Sequence, residues 1–151
     1  KVGDYVLAVE AEVTERASGP FTAAIDAPDN VITMVGNAKI MNGTIKNFSH
    51  NAYRRVDLSA QLDHSVDVQD AVRRLKEALP KIANVIEKPA PDVEIITFNE
   101  RGPVLAVRPY VHTDNYWQVY FDTNRVIREA LAEAGFPAPM PAQNVVVTQS
   151  A

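Results

Sequence analysis

Two adjacent arginines, Arg54 and Arg55, follow the stretch NGTIKNFSHNAY, with Phe48 and Ser49 a few residues upstream. Guanidinium groups near an aromatic ring and a hydroxyl are the parts from which phosphate and nucleic-acid sites are built. A second constellation, Asp63, His64, Asp67 and Asp70, has the residue types of a metal site. Its spacing matches neither a zinc motif nor an EF-hand loop. Carboxylates at the start of a helix are favoured by the helix dipole without any ion. A third set, Tyr116, Trp117, Tyr120 and Phe121, has the makings of a base-stacking platform. At helical spacing these rings read instead as a face that packs on a sheet.

The other routes to catalysis lack material. Ser49, Ser59, Ser65 and Ser150 have no nucleophile-elbow pattern around them. No glycine-rich phosphate loop is present among the six glycines, and there is no cysteine for a thiolate site or disulfide. His50, His64 and His112 are far apart and lack a short ligand spacing. Asn42-Gly43-Thr44 and Asn47-Phe48-Ser49 fit the N-glycosylation pattern, and turn chemistry accounts for both. The reading is a protein that is not an enzyme and has no cofactor or metal.

Composition bears on the arginine pair. The 151 residues carry 15 Lys+Arg against 19 Asp+Glu, a net charge of −4, whereas a general phosphate-backbone binder is usually basic. No nucleic-acid partner is therefore expected. An apolar fraction of 46% with 23% charged residues is that of a globular chain. No window approaches the roughly 20 apolar residues that cross a bilayer. The chain starts at Lys1, with no signal-peptide pattern, and reads as a piece of something longer.

The elements that position these residues fall into two rhythms. Over 1–49, DYVLAV (4–9), FTAAID (21–26), VITMV (31–35) and TIKNF (44–48) are candidate strands separated by turn signals such as APDN. From Arg54 a half-buried strand alternates Val56, Leu58, Ala60 and Leu62 on one face. A helix capped by Ser65 or Asp67 then runs through Ala78, with Val68, Val72, Leu75 and Leu79 as its apolar stripe. DVEIITF (92–98) and VLAVRPYV (104–111) form a hairpin across NERGP, with Gly102 available for positive φ. A long helix from about Asn115 to Ala134 follows, and Gly135 and Pro137 stop it. Its expected inner side is Tyr116, Tyr120, Thr123, Ile127, Ala130 and Ala134. The last apolar run is Val145-Val146-Val147.

The fold class is α+β: a small all-β domain, short and barrel- or sandwich-like, precedes a ferredoxin-like β-α-β-β-α-β domain and a C-terminal strand. Arg54-Arg55 falls where the rhythm changes, so it marks an inter-domain seam.

Five stretches then occur in order: KVGDYV, DNVITMVGNAKIMNGTIKNFS (29–49), RRVDL (54–58), VRPYVHTDNYW (107–117) and EAGFPAPMP (133–141). Together they resemble the cytoplasmic region of the small-conductance mechanosensitive channel family. The resemblance implies a membrane-spanning part before this region and seven subunits enclosing a hollow cytoplasmic cage. Residues 1–49 would be its β domain, 50–141 its ferredoxin-like α/β domain and 142–151 an oligomerisation strand. Val145, Val146 and Val147 would join copies of themselves in a narrow parallel barrel, which removes the free edges of an apolar terminal strand. Arg54 and Arg55 would lie near the gaps between subunits, where their charge bears on ion entry. The implied function is structural and filtering, in a tension-gated channel at the inner membrane that releases small solutes on osmotic downshock. The competing reading is a soluble ferredoxin-like ligand-binding or regulatory domain.

Three departures from the family pattern stand out. Val35-Gly36-Asn37 replaces V-P-N, which is expected to loosen the backbone there. VLAVEAEVTE lacks the glycines of the family's early hairpin, and Pro139-Met140-Pro141-Ala142 stands for P-[FY]-P-Q.

Overall fold

A computed structural model describes residues 3–8, 11–18, 21–27, 29, 31–145 and 147. The chain divides into two compact units, Lys1–Arg54 and Arg55–Ala151, so the boundary falls between the paired arginines.

The first unit is a meander. Strands β1 (Tyr5–Ala8), β2 (Ala11–Ser18), β3 (Thr22–Asp26) and β4 (Ile32–Gly36) are followed by a short helix α1 (Asn37–Met41) and by β5 (Lys46–Asn47). They form one five-stranded sheet in the order β4-β3-β2-β1-β5, antiparallel at every pairing. The expected barrel or sandwich is thus a single sheet among the described residues. Period-two alternation buries Val6 and Ala8 on β1 and Ala23 and Ile25 on β3. Val35 and Ile40 pack against the Val6–Ala8–Ile25 cluster.

Two features of this unit differ from the sequence reading. The glycine-free stretch after β1 forms the eight-residue strand β2, with a register shift between Glu15 and Ala17 where a bulge absorbs an extra residue. Helix α1 stands where only a connection was expected. The Gly36 before it keeps a proline-like backbone conformation. Its φ of −65° and ψ of 133° are angles that proline itself adopts.

Strand β6 (Arg54–Arg55) straddles the boundary, and the second unit contains β7 (Leu58–Gln61), α2 (Val68–Ala78), β8 (Asp92–Asn99), β9 (Gly102–Arg108), β10 (Tyr110–Val111) and α3 (Tyr116–Glu133). β7, β9 and β8 make a three-stranded antiparallel sheet in that order, and β6 pairs with β10. Each of two expected long strands is broken in two. Pro109 interrupts 104–111 because it has no N–H for the ladder, while its carbonyl accepts a hydrogen bond from Val56 N at 2.9 Å.

The expected β-α-β-β-α-β order is met through its first five elements. The described residues after α3 contain no strand, so the ferredoxin-like layout with a sixth element is not formed there. Val145 and Val147 are exposed and outside any strand, and Val146 lies outside the described residues.

Local chemistry explains the two helices. Asp67 caps α2, its carboxylate accepting from Gln69 N and Asp70 N. Ala71 and Leu75 are buried, with Val68 and Val72 packed beside them and Leu79 buried in the 3₁₀ turn that follows. Gly135 ends α3 at φ +70°, and Phe136 N closes back on Leu131 O at 3.2 Å, the six-to-one bond of a Schellman stop. The buried face of α3 is Val119, Thr123 and Ile127. Val119 was absent from the expected stripe. Leu62, Leu75, Leu79, Val93, Leu105 and Val107 complete the main core.

Gly102 carries the tip of the β8–β9 hairpin at φ +130°, where an added Cβ would stand 2.6 Å from Leu62 O. Thr123 has a fully buried hydroxyl with no hydrogen-bond partner among the described residues. These two positions predict opposite outcomes in denaturant unfolding. Gly102→Ala combines a backbone clash with a disfavoured φ and is expected to cost more than about 1–3 kcal/mol. Thr123→Val removes an unsatisfied hydroxyl at nearly constant shape and is expected to stabilise by about 1 kcal/mol. An unchanged midpoint in either variant contradicts the packing described.

Candidate functional site

The stretch that leads into the arginines is tied to the first strand. β5 pairs with β1, Phe48 N donates to Tyr5 O at 2.9 Å and Tyr5 N donates to Ser49 Oγ at 2.9 Å. Asn47 Nδ2 donates to Asp4 Oδ2 at 2.6 Å, while Asn47 Oδ1 accepts from Ser49 N and His50 N. Asn47 is thereby used as a turn residue, as its place in NFS suggested. The Arg54 guanidinium carbon stands 4.0 Å from the centroid of the Phe48 ring, a cation–π contact.

Arg55 belongs to a different arrangement. In an extended segment, residues two apart share a face, which brings Asp57 beside it. Arg55 Nε lies 2.7 Å from Asp57 Oδ1, and Arg108 Nε from the end of β9 lies 3.2 Å from the same oxygen. The Asp57 hydrogen bond and charge, with a further hydrogen bond to Tyr110, raise the Arg55 pKa above its ordinary value. Arg55, Asp57 and Arg108 border a cavity of about 550 Å³ whose walls include Ser59, Tyr120 and Asn124. The structure thus does not bring Arg54 and Arg55 together as one phosphate clamp. It gives one to an aromatic ring and the other to a two-arginine cluster. Asp57 and Arg108 were missed in the sequence reading. The period-two spacing of Arg55 and Asp57 was the signal for one; nothing local signalled the other.

The acidic cluster is dispersed among structural tasks. Asp63 accepts from Ser65 N and Oγ and from Met140 N, and these bonds hold its carboxyl below the usual range. Asp67 caps α2, and His64 Nε2 contacts Glu100 O at 3.1 Å. Asp70 pairs with Arg73 and Arg74 one turn on, and the hydrogen bonds from Arg74 and Arg73 depress its pKa. No three His, Cys, Asp or Glu residues converge as a metal site among the described residues.

The aromatic set divides. Tyr116 and Tyr120 pack against the buried cluster Val56, Val111 and Val119. Trp117 and Phe121 are exposed and stacked on each other with ring centroids 6.0 Å apart. The expectation of a sheet-packing face holds for the two tyrosines only. A one-residue offset from the buried positions of α3 turns the other two rings outward.

Comparison with known proteins decides what this scaffold is. The family described as mechanosensitive ion channel MscS, C-terminal, matches residues 56–137, more than half of the chain. The chain belongs to the MscS family of mechanosensitive ion channels. A small-conductance mechanosensitive channel of Edwardsiella ictaluri is 24% identical over 137 residues, which are 91% of this chain and 48% of that protein. An MscS family protein of Synechocystis is 22% identical over 149 residues, 99% of this chain and 50% of that protein. The chain spans about half the length of the curated relatives it matches. The closed-state crystal structure of Helicobacter pylori MscS superposes with a TM-score of 0.91 at 16% identity, over 99% of this chain and 60% of that one. Arabidopsis thaliana MSL1 gives a TM-score of 0.68 at 19% identity over 89% of this chain and 51% of that one. At these identities the structural likeness speaks to the fold alone. No helix among the described residues is long and apolar enough to cross a membrane.

The Asp70 ion pairs generate a pH test. Its folded pKa lies below its unfolded one, so its contribution to stability is full above the unfolded value, near pH 4, and is lost as pH falls through the depressed folded value. Asp70→Asn is expected to lower the urea midpoint at pH 7 and to reduce the slope of stability against pH below about 4. An acid profile identical to that of the parent chain would contradict this role.

Proposed function

We propose that this chain is the solvent-side cage region of a tension-gated channel on the cytoplasmic face of the inner membrane. The observation that carries the reading is the MscS C-terminal match over residues 56–137, within a chain that spans about half of its curated relatives. The remaining half would supply the membrane spans. The cage would hold the subunits in a ring, admit small solutes through its gaps and serve release during osmotic downshock. It would do no chemistry.

The proposed division is a β domain over 1–49, a ferredoxin-like domain over 50–141 and an oligomerisation strand over 142–151. In this reading the run Val145-Val146-Val147 follows the ferredoxin-like domain and pairs with copies of itself in a seven-stranded barrel. The 78% and 81% exposure of Val145 and Val147 supports it, because apolar side chains so placed gain by being covered. The outer strand β8 gives further support. Ile95, Ile96 and Phe98 are exposed on it, and a long apolar edge is normally protected. Neighbouring subunits would cover both.

Arg54 and Arg55 would contribute positive charge near the gaps between subunits. The test uses the full-length channel in membrane patches under graded suction. Tension-activated current is expected from the parent protein. Reversal of both charges, R54E with R55E, is expected to shift the reversal potential toward cation preference without abolishing gating. A protein that passes no current under tension would refute the channel reading. Unchanged selectivity in the charge-reversed channel would refute the role of the arginines.

A further inference from the structure

The cavity bordered by Arg55, Asp57 and Arg108 has features that an ion-pair network alone does not require. Two guanidinium groups face one carboxylate: both Nε atoms are directed to Asp57 Oδ1, and Arg55 also reaches Asp57 Oδ2 through Nη2 at 3.4 Å and hydrogen-bonds Tyr110. The cluster therefore keeps one uncompensated positive charge. Among the described residues Arg108 has only Asp57 as an ion-pair partner, which leaves its terminal N–H groups available. Asp92 is the cross-strand partner of Arg108 but does not line the cavity. Glu94, next but one along β8, is engaged by Lys76 Nζ at 3.1 Å.

The remaining walls add donors and a platform. Ser59 supplies a hydroxyl from β7, and Asn124 on α3 keeps one amide N–H beside the one that its Nδ2 donates to Tyr120 O at 3.2 Å. Tyr120 and Ile96 provide flat and apolar surface beside them. The depression is open to solvent and has a volume of about 550 Å³. Arginine forks match the oxygens of phosphate with paired, charge-assisted hydrogen bonds. Asp57 holds the two side chains close together before any ligand arrives, so less side-chain freedom is lost on binding.

We propose that this cavity binds the phosphate group of a small phosphorylated compound, with Arg55 and Arg108 on the phosphate oxygens, Ser59 and Asn124 as further donors and Tyr120 beside the body of the ligand. The site lies wholly within the second unit and does not depend on the channel reading. Its ligand is a phosphate rather than a permeating monatomic ion, because separate donors on Arg55, Arg108, Ser59 and Asn124 match several oxygens of one group.

Titration of the whole chain with inorganic phosphate, followed by amide and arginine Nε resonances at constant ionic strength, tests this. Saturable shifts confined to residues around Arg55, Ser59, Arg108 and Asn124 are expected. R55Q and R108Q are each expected to weaken binding about tenfold, with the remaining amide spectrum unchanged. Arg55 is well exposed, so R55Q remains informative if R108Q perturbs the fold. Ribose 5-phosphate binding more tightly than phosphate would assign the site to phosphate monoesters, and equal affinity would assign it to free phosphate. Shifts that do not saturate, that spread over all surface cations, or that chloride reproduces at equal ionic strength would overturn the proposal. Affinity unaltered in R55Q would do the same.

Discussion

The second unit depends on burying one strand. β9 hydrogen-bonds to β7 on one side and β8 on the other, and Leu105 and Val107 share a closed core with Leu75 of α2 and Leu79 of the turn after it. Every other element answers to that position. Asp67 starts α2 so that Leu75 meets the sheet, and Gly102 lets the chain turn back while its Cα side presses on Leu62 O. Pro109 then ends the strand where Arg108 emerges toward Asp57. The polar cluster is thus a consequence of where the central strand must stop.

Much of this was legible in the sequence, for identifiable reasons. Helices α2 and α3 announced themselves through apolar spacing with a carboxylate cap and a glycine stop, signals that are local and that tertiary packing reinforced. The hairpin at Gly102 was legible because only glycine tolerates that backbone. The strand β2 was obscured because its sequence lacks the usual turn residues before it, and α1 because five residues are too few for a periodic pattern. The breaks at Val56–Asp57 and at Pro109 were obscured because alternation continues through both.

The site was less legible than the fold. Arg54 and Arg55 are adjacent in sequence, and adjacent residues of an extended chain point to opposite sides. Their separation onto Phe48 and Asp57 follows from that geometry. Arg108 was hidden because its partner Asp57 lies in the break between β6 and β7, some fifty residues away in the chain. Trp117 and Phe121 looked like core because composition cannot distinguish a helix face turned inward from the one next to it.

A single chain leaves apolar surface that a sheet-and-helix core of this size does not need to leave: Ile96 and Phe98 on an outer strand, Phe121 on α3 and the terminal valines. Membership of the MscS family supplies a reason, since the proposed ring would cover such surfaces with copies of the same chain. Native mass measurement of the full-length protein in detergent addresses this most directly. The account predicts a particle of seven subunits. A monomer or dimer as the only species would contradict it.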